Sequence, residues 1–214
     1  AIGASLPEIW DAVQDWRFAR RGLWSLAFGV LLVGVSLFVF LGTPARVVDR
    51  FPGQRPPIGT LDGLAFMQVG TYNWPDEENP IQLAGDYDAI RWLQDHVTGT
   101  PVIVEAPVGY YREFGGRASS YTGLPAAYND QHEREQRYGW QNSRRSSLVS
   151  DFFTTTDPQH TMEVAHELDA TYIYIGPLER TLYPSLNKLD QLVSSGDLAI
   201  VYQNQQVTIY QVAR

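Results

Sequence analysis

The sequence predicts an α/β protein: a single N-terminal transmembrane helix followed by a three-layer α/β soluble domain with a mostly parallel sheet and an antiparallel C-terminal edge. Three observations predict it. Residues 23–41, LWSLAFGVLLVGVSLFVFL, contain no charged side chain. Beyond residue 61, short β-branched runs alternate with segments of helical period, the pattern of stacked strand and helix layers. The last two apolar runs, LAIVYQN and VTIYQV, are joined through Gln205 and Gln206 and read as a hairpin.

Taken in order, residues 1–22 form an amphipathic juxtamembrane segment. Ile9, Val13 and Trp16 recur at helical spacing, and Arg17, Arg20 and Arg21 precede the apolar run. The transmembrane helix is assigned to 23–43. As a helix its charge-free core spans about 28 Å, close to the thickness of a bilayer's hydrocarbon layer. Trp24 falls where an interfacial aromatic belongs. The arginines before the span point to a cytoplasmic N-terminal side and an extracytoplasmic C-terminal domain, at the cell membrane. Arg46, Arg50 and Arg55 after it weigh the other way. Residues 44–60 are rich in Pro, Gly and Arg and read as a linker. The chain starts without Met and is expected to be processed or part of a longer protein.

The soluble domain is assigned to 61–214. DYDAIRWLQDHV (86–97) has helical spacing, and PVIVEAP (101–107) reads as a buried strand. SSLVSDFFTT and TMEVAHELDA read as helices, the second opened by TDPQHT. TYIYIG (171–176) is a second buried strand. YPSLNKLDQLVSSG is a helix ending at Gly196. The stretch from 107 to 145 shows little apolar periodicity and reads as a long loop, a length that compact domains usually reserve for function.

Composition narrows the chemistry. The 214 residues are 44% hydrophobic and 19% charged, with net charge −8, so no nucleic-acid partner is expected. There are no cysteines, which excludes disulfides, thiolate zinc ligands and thiol catalysis. His132-Glu133 invites a zinc reading, but position 136 is Gln, so the second histidine of a zinc helix is missing. No nucleophile elbow, dinucleotide fingerprint or P-loop occurs, so no cofactor is expected.

The candidate ligand-binding residues are Glu105, Tyr110, Tyr111, Arg117, Tyr121, His132, Glu133 and Arg137. Glu105 ends the first buried strand, the sheet edge where α/β folds place ligands. Aromatic faces beside carboxylates and guanidiniums suit a sugar or phosphosugar. A surface ion-pair network with tyrosines packing a long loop is favoured over a site by the same residues, and both readings stand.

The segments GTPARVVDRF, LDGLAFM, DYDAIRWLQ, PVIVEA, TGLPAAYNDQHEREQR, ATYIYIGPLER and VTIYQV follow in an order that resembles the C-terminal part of a family of uncharacterised polytopic membrane proteins. That family is named for a tri-tyrosine motif and is grouped with GT-C-type, lipid-linked-sugar glycosyltransferases. The resemblance runs from about Arg17 to the end. It implies a last transmembrane helix plus an extracytoplasmic domain, with the catalytic residues outside this chain and a lipid-linked sugar as possible ligand. It also implies that Glu105, Gly123, Pro125, His132, Glu133 and Arg137 line an acceptor or donor-headgroup surface. The tri-tyrosine run is absent here, and Gln136-Arg137 stands where the family has Trp-Arg. The second reading is a non-catalytic structural or interaction subunit, anchored among other transmembrane helices in a larger, energy-transducing complex. In either case the bilayer is a partner.

Overall fold

A computed structural model describes residues 8–11, 18–50, 55, 57, 59–73, 75–108, 114–129 and 140–213. The chain divides into two compact units, Ala1–Arg55 and Pro56–Arg214.

The first unit is built on a long helix. Its α1 (Phe18–Leu37) passes through a π-helical turn (Phe38–Gly42) into α2 (Thr43–Arg50). One helix here, Arg20–Asp49, is long and apolar enough to cross a membrane, and its most apolar stretch is not buried within the protein. Trp24 stacks on Phe28 one turn later, with ring centroids 5.3 Å apart, and meets Trp10 edge-on at 6.4 Å. Residues 44–50 were expected to be linker and are helical instead. The π turn supplies the reason. Pro44 has no N–H and its ring crowds the carbonyl four residues back, and a widened turn just before it relieves both problems.

In the second unit a four-stranded sheet has the order β3-β4-β6-β5. Its strands are β3 (Val102–Val104), β4 (Ala170–Ile175), β5 (Leu198–Gln203) and β6 (Thr208–Val212). β3 and β4 run parallel, and Ala126 adds a parallel bridge to Ile103 on the outer side of β3. The C-terminal hairpin forms the antiparallel edge, as the sequence predicts. Its second strand, β6, slots in against β4, so the parallel share of the named strands is the β3/β4 pair. A two-stranded ribbon, β1 (Thr71–Tyr72) with β2 (Ile81–Gln82), lies outside this sheet.

Helices cover both faces, giving three layers. Val104, Ile173, Ile175, Tyr210 and Val212 point to one side. There they pack with α5 (Trp140–Thr154), α6 (Pro158–Glu167) and α8 (Lys188–Ser195) through Phe152, Phe153, Val164, Leu168 and Leu192. Ile103, Tyr174 and Ile209 point to the other, against Ala89 and Leu93 of α3 (Ala84–His96) and Ala118 of α4 (Arg117–Thr122). The alternation along β4 follows from the two-residue period of a strand.

Local signals set several boundaries. Asp157 caps α6, its carboxylate accepting from Gln159 N at 3.0 Å, with Pro158 at the first helical position. Gly196, with φ of 88°, ends α8 in the left-handed region where a side chain would be strained. Lys188, the chain's single lysine, donates from Nζ to the carbonyl oxygens of Phe152 and Thr155 at the end of α5, satisfying acceptors that a helix terminus leaves open.

Candidate functional site

The carboxyl ends of β3 and β4 lie side by side, and the candidate site begins there. Glu105 directly follows β3, and Gly176 directly follows β4. Glu105 is buried, and its carboxylate accepts from Ala118 N at 2.8 Å and Ser119 N at 2.9 Å. These are N–H groups in the first turn of α4, which have no partner within the helix. Gly116 at the head of α4 has φ of 66° and offers no side chain, so the cap comes from a strand end far back in the sequence.

Arg117, the first residue of α4, is buried to 2% exposure. Its Nε donates to Asp86 Oδ1 at 2.6 Å. Nη1 and Nη2 donate to Glu179 Oε1 and Oε2 at 3.0 and 2.7 Å, a two-pronged pairing. The guanidinium lies over the Tyr174 ring at 4.8 Å and the Phe114 ring at 5.6 Å. Tyr174 donates its hydroxyl to Asp86 Oδ1 at 2.7 Å. Asp86 sits in the first turn of α3, where the helix dipole favours a negative charge. Glu179, in the first turn of α7 (Pro177–Leu182), also accepts from Gly176 N at 2.8 Å and Ala106 N at 3.1 Å. One glutamate therefore ties the ends of both parallel strands to one arginine. Gly176 is required by close approach: a Cβ there would stand 2.5 Å from Arg117 Nη2 and 3.1 Å from Asp86 Oδ1.

The electrostatics follow from that packing. Burial pushes the Glu105 carboxyl above its ordinary pKa, with Arg117 and the α4 N–H groups pulling the other way. Burial opposes the charge on Arg117, but Asp86 and Glu179 together hold its pKa well above the ordinary value. Glu179 is fully desolvated too, yet Arg117 and its N–H donors leave its pKa below the usual value. Burial, then the Asp86 carboxylate, drives the Tyr174 phenol well upward. The cluster is an ion-paired clamp buried from solvent.

The structure thus brings Glu105 and Arg117 together, and neither faces solvent. Tyr121 is half-buried against the apolar cluster that includes Leu64, Met67, Ile81 and Leu178, while its carbonyl accepts from Gln94 Nε2 at 2.9 Å. Tyr110, Tyr111, His132, Glu133 and Arg137 lie outside the described residues. The expected loop from 107 to 145 contains α4, the Ala126 bridge and the start of α5.

Sequence reasoning missed Asp86, Tyr174, Gly176 and Glu179. One signal was available. Gly176-Pro177 followed by Glu179 has Pro at the first helical position and Glu at the third, the spacing of a capping box. Nothing local shows that the same carboxylate also pairs with an arginine 62 residues away.

No family model matches the chain, and no curated protein matches it. Among solved structures, the C-terminal globular domain of an oligosaccharyltransferase from Archaeoglobus fulgidus superposes with a TM-score of 0.38 at 12% identity. The match covers 59% of this chain and 95% of that domain. A superposition that loose defines neither a shared fold nor a shared activity.

Proposed function

We propose that this chain is the membrane-anchored, extracytoplasmic α/β part of a GT-C-like glycosyltransferase, presenting one sheet edge to a lipid-linked sugar or its acceptor. The observation that carries the reading is where the resembling segments meet. Asp86 comes from DYDAIRWLQ, Glu105 from PVIVEA, and Tyr174, Gly176 and Glu179 from ATYIYIGPLER. All five converge on Arg117 at the carboxyl ends of the parallel strands. That end of an α/β sheet is where ligands bind. In this reading Glu105 and Arg117 are positioning residues. They hold the described backbone next to the stretches of sequence that carry Tyr110, Tyr111, His132, Glu133 and Arg137. The chemistry of transfer belongs to residues outside this chain.

The test is transfer of a radiolabelled sugar from a polyprenyl-phosphate carrier, measured in membranes holding the full-length natural protein. Replacing His132 and Glu133 together by Ala should lower transfer while the thermal melt is unchanged. Transfer at the wild-type rate overturns the reading.

One observation favours the structural-subunit alternative. Asp86, Glu105, Tyr174, Gly176 and Glu179, all from the resembling segments, are buried and serve the fold. Purification in mild detergent separates the two. A stoichiometric complex with unrelated membrane subunits supports the alternative, and a monodisperse lone protein counts against it.

A further inference from the structure

The helices α5 and α6 carry a second polar cluster, separate from the Arg117 clamp. Ser146, Ser147, Leu148, Ser150, Asp151 and Thr154 of α5 line a cleft of about 490 Å³. That size falls within the roughly 300–1,000 Å³ of small-molecule sites. Ser146 and Ser150 stand four residues apart, as do Ser147 and Asp151, so each pair shares a helix face.

The polar groups of this cleft keep hydrogen-bonding capacity. Ser147 Oγ donates to Ser143 O at 3.0 Å, and Thr154 Oγ1 donates to Ser150 O at 2.8 Å, so both hydroxyl oxygens can still accept. The hydroxyls of Ser146 and Ser150 make no hydrogen bond among the described residues, and each can donate and accept. Asp151 uses Oδ2 toward His160 Nε2 of α6, 2.6 Å away, which leaves Oδ1 open.

Charge selects the class of ligand. His160 lies between two carboxylates, with Nδ1 3.5 Å from Glu163 Oε2. The hydrogen bond to Asp151 raises the imidazole pKa above its ordinary value. The imidazolium offsets one carboxylate, and one negative charge is left over. An anion is therefore repelled, and among the described residues no Arg or Lys lines the cleft to receive it. A metal ion needs several open carboxylate oxygens and would meet the imidazolium instead. An apolar ligand would strip water from five polar side chains and return no hydrogen bonds. A neutral polyol returns them, because every hydroxyl both donates and accepts. We propose that this cleft binds a neutral saccharide, with Asp151 Oδ1 accepting from ring hydroxyls and Ser146 and Ser150 donating to ring oxygens. The assignment does not rest on the glycosyltransferase reading, since it concerns binding without transfer.

The test is saturation-transfer difference NMR on the full chain in lipid nanodiscs, with methyl α-D-mannopyranoside as the probe and empty nanodiscs as the baseline. Wild type should give a saturable sugar signal. Asp151→Ala and Ser150→Leu should each reduce it several-fold. Ser150→Leu fills the cleft from an exposed helix position without breaking an ion pair, so it decides the matter if Asp151→Ala also shifts the melt. Replacing His132 and Glu133 together by Ala should leave the signal in place, so that binding here and sugar transfer fail separately. No saturable signal in wild type, a full signal in Ser150→Leu, or its loss in the His132/Glu133 variant overturns the proposal.

Discussion

Replacing Arg117 by Met tests the clamp most sharply. Methionine keeps roughly the length of the side chain and removes the charge with all its N–H donors. The side chains of Arg117, Asp86 and Glu179 are at most 1% exposed, so water cannot replace the lost partner. Removing one member of such a buried pair costs about 3–5 kcal/mol, because the other charge is left uncompensated. Glu179 would keep its bonds from Gly176 N and Ala106 N, and Asp86 its bond from Tyr174, which places the loss near the lower figure. For a domain of this size, about 3 kcal/mol lowers the melting temperature by roughly 6–12 °C. The assay is a near-ultraviolet circular-dichroism melt of the full chain in lipid nanodiscs. Adding Glu179→Gln removes one of the orphaned charges, so the double variant should lose less than the sum of the singles by at least about 0.5 kcal/mol. A shift under about 2 °C for Arg117→Met, or strict additivity, would refute the reasoning.

Three further outcomes are expected. Gly176→Ala forces a methyl group against Arg117 Nη2, and overpacking of this kind costs about 1–3 kcal/mol, read from the same melt. Glu105 has a raised pKa in the folded state, so the native protein holds this proton more tightly than the unfolded chain does. Stability therefore falls as pH rises from its ordinary value of 4.5 toward the raised one. Wild type should lose stability relative to Glu105→Gln across that window in urea titrations, and a pH-independent difference would contradict the assignment. Lys188 has a pKa lowered to about 8 by burial, so between there and 10.5 the unfolded chain binds more protons. Wild-type stability should rise relative to Lys188→Met over that range, and a falling difference would show that the amine is not desolvated.

The parts of this fold that were legible are those whose cause is local. Asp157-Pro158 announces the start of α6, Gly196 the end of α8, and the charge-free run at 23–41 the long apolar helix. The terminal hairpin shows in two β-rich runs joined by a short polar turn. What escaped depends on partners distant in sequence. The six residues of α4 are too few to form a helix on their own propensity, and the cap that steadies them is Glu105. Glu105 and Arg117 read as ligand-facing because charged side chains are seldom buried without a partner. Their partners, the α4 amides, Asp86 and Glu179, are brought close only by the sheet. The helix through 43–50 escaped because Pro44 reads as a helix breaker unless the turn before it widens.

The proposed contact is between the edge held by the Arg117 clamp and a lipid-linked sugar. A photoactivatable polyprenyl-phosphate sugar, with the benzophenone on the sugar, can be cross-linked to the full-length natural protein in its own membranes and the labelled peptides mapped by mass spectrometry. Labelling within residues 107–139 of this chain, suppressed by excess unlabelled carrier, is expected. Competed labelling confined to other regions of the protein, with none in this stretch, would contradict it.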